Sequence, residues 1–328
     1  MTGAAAPVPV TILAGFLGAG KTTLLNRILS GDHGLRIAAL VNDFGAINID
    51  AALIERSDGE VVSLANGCIC CSLSDGLLVT VMRLVRGPAP PQYIVIETSG
   101  LSDPFAVART FADPELQPCA LLDSIVTVVD AEQASALEGE MASLARCQVA
   151  AADLVLLNKI DLVDTRQRAA AVDWVRAISP AARVLEVAQA RAPLELLLGV
   201  GRFAAREVCA HAHCGHAHDH GAQFDSWSYE SDAPLPLAQL HAAMRGLPPT
   251  VFRVKGILYL QEKPEHRCVF QAVGQRATLT VDRPWGAQTP RNRLVFIGPR
   301  GGMPVDALRA QLPAAKHGDG TAAASWVE

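Results

Sequence analysis

The chain has 328 residues, is 50% hydrophobic and carries a formal net charge of −5, with an isoelectric point of about 6.0. That length holds about two domains with proper cores, and the acidic balance offers no basic field to hold nucleic acid or an anionic membrane, so neither is expected as a partner. Residues 1–9 have neither a basic cluster nor a long apolar core, and no apolar run approaches the ~20 residues of a membrane span, so the chain reads as cytoplasmic.

Candidate strands occupy 10–14, 36–41, 60–64, 93–97, 124–130, 154–158 and 183–187. Most are near-continuous apolar runs, the pattern of strands buried on both faces of a mainly parallel sheet. Helices are predicted over 21–29, closed by Gly31; over 74–85, closed by Gly87; and over 104–111, with Asp103 as cap and Pro104 in the first turn. The alternation predicts an α/β, doubly wound, mainly parallel domain over 1–200. Residues 201–222, with the His-rich tract 211–220, read as a linker or loop. Strands at 224–230, 251–260, 268–273, 277–281 and 294–297, with helices at 237–245 and 305–312, predict a smaller α+β domain with an antiparallel sheet over 223–313. Small and polar residues over 314–328 read as a flexible tail.

Between the first strand and the first helix stands Gly15-Phe16-Leu17-Gly18-Ala19-Gly20-Lys21-Thr22, which fits G-x-x-x-x-G-K-[ST] in its proper context. Gly15, Gly18, Ala19 and Gly20 let backbone N–H groups converge on phosphate oxygens, and the helix N-terminus, with Thr23 in its first turn, adds positive potential. Lys21 reaches the terminal phosphates and the Thr22 hydroxyl can hold Mg²⁺. The strand at 93–97 ends in Glu97, a carboxylate too costly to bury without a cation or hydrogen bonds, and so a candidate for Mg²⁺ or for the attacking water; capping of the next turn is the plainer reading. Gly100 is placed to let a backbone N–H approach the terminal phosphate. Asn158-Lys159-Ile160-Asp161 follows the strand at 154–158, at the sheet edge where ligands of such folds bind. Asp161 can accept from guanine N1–H and the exocyclic amine, with Asn158 and Lys159 bracing the ring. Adenine has no N1–H to donate, so GTP is the expected nucleotide.

Eight cysteines in a reducing compartment point to metal or redox chemistry rather than disulfides. Cys119, Cys147 and Cys268 lie in apolar contexts and read as buried small hydrophobes. Cys68, Cys70 and Cys71 lie between a strand and a helix, where a helix N-terminus favours the thiolate, and supply three ligands for a transition metal. An incomplete set favours transfer over a closed structural site, and soft sulfur suits Zn²⁺ or Cu(I) and accepts Co²⁺. Core packing, a redox pair or a structural zinc site completed elsewhere compete with this reading. The His-rich tract is equally consistent with metal capture and with a solvated loop.

In this order, the phosphate loop, Cys68-x-Cys70-Cys71, Glu97-Thr98-Ser99-Gly100-Leu101-Ser102-Asp103-Pro104 and Asn158 to Asp161 closely resemble the CobW family of metallochaperone GTPases, relatives of the GTPases that insert nickel into urease and hydrogenase. Val251-Phe252-Arg253-Val254-Lys255-Gly256-Ile257 and Leu294-Val295-Phe296-Ile297-Gly298 resemble that family's C-terminal domain. The family commonly places Glu, then Phe-Gly and a further acid after the residue equivalent to Asn42; here Asp43 offers a shorter carboxylate for Mg²⁺ and Ala46 offers none. The resemblance implies a GTPase that binds Zn²⁺, or Co²⁺, at the cysteines when GTP and Mg²⁺ order the 42–71 segment, and delivers it to a client metalloprotein or metal-insertion enzyme on hydrolysis. Two other readings compete: metal storage with incidental nucleotide binding, and a P-loop phosphotransferase with structural cysteines.

Overall fold

The structure is a computed structural model that describes residues 6–41, 60–63, 73–198, 224–274 and 276–312. The expectations resting on Asp43, on Cys68, Cys70 and Cys71, on the 211–220 tract and on the tail lie outside the described residues. The chain divides into two compact units, Met1–Leu198 and Gly199–Glu328.

Among the described residues of the first unit, β1 (Val8–Ala14), β2 (Ile37–Val41), β3 (Glu60–Ser63), β4 (Tyr93–Glu97), β5 (Ala120–Asp130), β6 (Leu154–Asn158) and β7 (Arg183–Glu186) form one parallel sheet in the order β3-β2-β4-β1-β5-β6-β7. Between them run α1 (Lys21–Ser30), α2 (Leu73–Val85), α3 (Pro104–Thr110), α4 (Gly139–Ala150), α5 (Thr165–Ile178) and α6 (Leu194–Leu197). Most of the strand sequences are near-continuously apolar, as strands covered by helices on both sheet faces require. Val10, Ile12 and Ala14 of β1 pack with Ile94 and Ile96 of β4 and with Leu77 and Val81 of α2. Farther along the sheet, Val155 and Leu157 of β6 pack with Val149 of α4 and Val175 of α5.

This is the doubly wound α/β architecture read from the sequence, with two departures. Strand β5 begins at Ala120, whereas the sequence reading started it at Ser124 because Asp123 breaks the apolar run, although Asp123 and Ser124 both lie buried in the sheet. Helices α4 and α5 and the short α6 were not predicted. On α4 burial falls on Ala145, Gln148 and Val149, which leaves no strong apolar stripe, whereas α5 does carry one, Ala171, Val172, Val175 and Ile178, that the sequence reading passed over. A capping box at Asp164 and Gln167 does mark the start of α5.

The second unit holds β8 (Phe224–Ser231), β9 (Arg253–Leu258), β10 (His266–Val273), β11 (Arg276–Pro284) and β12 (Asn292–Pro299) as an antiparallel sheet in the order β11-β10-β9-β12-β8. Alternate residues, such as Leu294 and Phe296 on β12, join Trp227, Tyr229 and Phe270 in a core shared with Leu240 of α7 (Leu237–Arg245) and Leu308 of α8 (Val305–Gln311). Cys268 is in this core, as expected of a small hydrophobe, and Cys119 packs against the first unit's core. Cys147 differs: it is half-buried and its thiol lies 3.5 Å from an Asp103 carboxylate oxygen.

Candidate functional site

Strand register decides which side chains meet. Glu97 lies between Leu13 of β1 and Val41 of β2, while Asp130 of β5 pairs with Asn158 of β6. The carboxyl ends of β1, β4, β5 and β6 therefore finish along one edge, and the loops that leave them carry most of the residues singled out by sequence.

The loop after β1 folds back on itself through the Ala19 N–H to Phe16 carbonyl bond of 3.3 Å, and helix α1 starts at Lys21. At Gly15 φ is 137°, and a Cβ there would lie 2.2 Å from the Val128 carbonyl oxygen, so the position admits only glycine. Gly18 faces open space, Ala19 is buried and Thr23 is exposed. The N-cap of α1 is Gly20, which has no side chain to satisfy the first N–H groups, and the first turn has no acidic residue. Those orphan donors and the positive end of the helix dipole suit an anion. Lys21 is 7% exposed and its Nζ donates to the Phe16 carbonyl at 3.1 Å, which holds the ammonium over the loop.

Glu97, 2% exposed, accepts a hydrogen bond of 2.7 Å from the Thr22 hydroxyl. A hydroxyl from α1 and a carboxylate from the end of β4 thus meet although they lie 75 residues apart. Two hard oxygen donors at the end of a phosphate-binding loop fit Mg²⁺. Thr98 continues the strand by donating its N–H and its hydroxyl to the Leu13 carbonyl, at 2.9 and 3.1 Å. Gly100 then passes so close to the phosphate loop that a Cβ would lie 2.7 Å from the Leu17 nitrogen. Asp103 caps α3 by accepting from the Phe105 N–H at 2.8 Å, as the sequence implied. Burial pushes the neighbouring Cys147 thiol up, and the charge and hydrogen bond of Asp103 push it the same way.

Asn158, 2% exposed, donates to the Ala19 carbonyl at 2.9 Å and accepts from the Ala190 N–H at 2.7 Å, pinning the phosphate loop to the segment after β7. Lys159 adopts a left-handed φ of 63° and its ammonium pairs with Asp130 at 2.7 Å. Asp161 is exposed on the short turn Ile160–Leu162. Sequence reasoning had no role for Asp130, although its strand was recognised. It also missed the left-handed pair Gln189 and Ala190, with φ of 52° and 55°. Their conformation is sustained by Asn158 and by Arg27, whose Nε donates to the Gln189 carbonyl at 2.8 Å, and no local motif announces it. Among the described residues no three His, Cys, Asp or Glu side chains converge as a metal site, and the thiol triplet lies outside them.

A family model described as CobW/HypB/UreG, nucleotide-binding domain, matches residues 9–186, and one described as the cobalamin synthesis protein cobW C-terminal domain matches residues 224–316. Over 315 residues the chain is 34% identical to a protein named zinc chaperone YjiA from Escherichia coli, covering 93% of this chain and 97% of that one. It is 31% identical over 345 residues to a protein named zinc chaperone CobW from a Sinorhizobium species, covering 94% and 97%. Among solved structures, Zn(II)-bound YjiA GTPase from E. coli aligns with 28% identity and a TM-score of 0.44, over 94% of this chain and 98% of that one.

Proposed function

The chain belongs to the CobW/HypB/UreG family, and on that premise we propose that it is a GTP-hydrolysing metallochaperone that takes a transition metal, Zn²⁺ or Co²⁺, at Cys68, Cys70 and Cys71 and releases it to a client metalloprotein or metal-insertion enzyme. The observation that carries the nucleotide half is the 2.7 Å bond from Thr22 to buried Glu97 beside an uncapped helix N-terminus. The metal half is supported by near end-to-end alignment with two proteins named zinc chaperones and by the thiol triplet in the sequence.

In this reading, backbone N–H groups of residues 15–22 and the Lys21 ammonium hold the phosphates. Thr22 and Glu97, with Asp43 from outside the described residues, would hold Mg²⁺, which neutralises charge on the phosphate oxygens when bound. Glu97 also orients water, and the Gly100 backbone N–H reads the terminal phosphate. Asp161 accepts from guanine while Asn158 keeps the phosphate loop and the segment at Ala190 together. Hydrolysis removes the group that Gly100 and the 42–71 segment respond to, and the thiolates relax. This is a switch of the order-disorder type.

Linkage makes the proposal testable. If GTP tightens metal binding, metal tightens GTP binding by the same factor. Zinc affinity measured by competition, with Mg²⁺ and either a non-hydrolysable GTP analogue or GDP, is expected to be higher with the analogue. A variant with Cys68, Cys70 and Cys71 all changed to Ser is expected to lose that metal while still binding nucleotide. Equal zinc affinities in the two nucleotide states would reject the switch.

A further inference from the structure

Gln148, on the last turn of α4, has no part in the chemistry above, yet it is 1% exposed. A carboxamide in a core is costly unless its polar groups are bonded. Here Nε2 donates to two backbone carbonyls, Gly100 at 3.0 Å and Ser102 at 3.2 Å, while Oε1 is buried without a hydrogen-bond partner among the described residues, so the donors carry the position. Carbonyl oxygens can only accept, so the amide nitrogen must be the atom that faces them. The residue is anchored from behind, since its own carbonyl accepts the Thr127 hydroxyl of β5 at 2.8 Å and the adjacent Val149 is in the core. The turn it grips is closed by the Ser102 N–H to the Ser99 carbonyl at 3.0 Å and seats Gly100 on Leu17 of the phosphate loop. One side chain therefore ties the turn that follows Glu97 to helix α4, which is itself bonded to β5.

We propose that Gln148 is a positioning residue for the Gly100 turn, holding it so that its backbone reads the terminal phosphate and thereby setting the preference for GTP over GDP. The inference rests on the role given to Gly100 above. Without the carboxamide donors, the turn keeps its two internal bonds to Ser99, from the Ser102 N–H to the carbonyl and from the Leu101 N–H to the hydroxyl, and its seat on Leu17. Asn158 and Lys21 are held by bonds to Ala19, Ala190 and Phe16 rather than by this turn, and Asp161 lies on the separate 160–162 turn, so GDP binding is spared.

The test uses the full chain with Mg²⁺ and measures affinity for a non-hydrolysable GTP analogue and for GDP in the parent, Gln148→Met and Gly100→Ala proteins. Gln148→Met keeps the size and removes the donors. It is expected to weaken the analogue about tenfold, the effect of losing one to two net hydrogen bonds, with GDP affinity unchanged. Gly100→Ala, whose Cβ would press on the Leu17 backbone, is expected to weaken the analogue more than GDP. A selective loss in Gly100→Ala with an unchanged affinity ratio in Gln148→Met would overturn the inference and leave the Gly100 reading standing. An unchanged ratio in Gly100→Ala would overturn both. If Gln148→Met cannot be purified folded, Gln148→Asn, whose amide falls one methylene short of the carbonyls, replaces it and is read by the same ratio.

Discussion

The two ends of the parallel sheet both bury polar side chains, but they use them in opposite ways. Toward the amino end, the Tyr93 hydroxyl donates to Asp123 at 2.8 Å and lies 2.6 Å from the Thr11 hydroxyl, which is 3.0 Å from Ser124 and also donates to the Leu197 carbonyl. Beside this network the Asp153 carboxylate accepts the Ile125 N–H at 2.8 Å, and burial lowers the Arg183 guanidinium while Asp153 partly restores it. These groups satisfy one another across β1, β4, β5 and α6, a closed network that specifies packing. At the carboxyl end, Lys21, Thr22, Glu97 and Asn158 are held just as firmly, but at the ends of α1, β4 and β6, beside loops with left-handed residues and a face open at Gly18. One end spends its polar groups on the fold, and the other keeps them ready for a ligand.

The sharpest way to break this contrast is at Lys21. Lys21→Ala is expected to slow GTP turnover by about 10²- to 10³-fold, the effect of removing a preorganised donor, with little change in thermal midpoint. A midpoint that falls together with turnover would show that the carboxyl end is structural too. Tyr93→Phe should do the reverse. Removing its hydroxyl takes a donor from buried Asp123 and should cost about 1–3 kcal/mol in denaturant unfolding, with turnover per folded molecule unchanged. A smaller effect is expected at Cys147, which flanks the carboxyl end. Its thiol is raised by burial first and by Asp103 second, so at pH 8 it is mostly protonated and alkylates slowly, and its rate rises with pH. Asp103→Asn, which still caps α3, should lower that pKa and speed alkylation a few-fold, as followed by peptide-resolved mass spectrometry. An unchanged rate would mean that burial alone controls the thiol.

Legibility differed in the same way between the two ends. The phosphate loop and the 158–161 motif are contiguous, and flanking apolar runs marked their strands, so their positions were readable. Asp123 shortened the reading of β5 because a polar residue in a central strand makes sense only once Tyr93 stands beside it. Helix α4 escaped because Gln148 occupies a buried position where periodicity looks for an apolar side chain, and its reason for being there is a turn 48 residues away in sequence. Asp130 was invisible as a partner for Lys159 until β5 and β6 were paired.

By itself the sequence determined the two fold classes, the phosphate loop, the Asn158–Asp161 motif and the presence of a thiol triplet, because each depends on residues close together or on the repeat of apolar side chains along one element. Tertiary structure alone decided that Thr22 meets Glu97, that Asn158 joins the phosphate loop to Ala190, and that Gln148 grips the Gly100 turn. The physical reason is strand order. Inserting β4 between β2 and β1 and setting β5 on the other side of β1 brings distant carboxyl ends to one edge, and no local pattern encodes that adjacency.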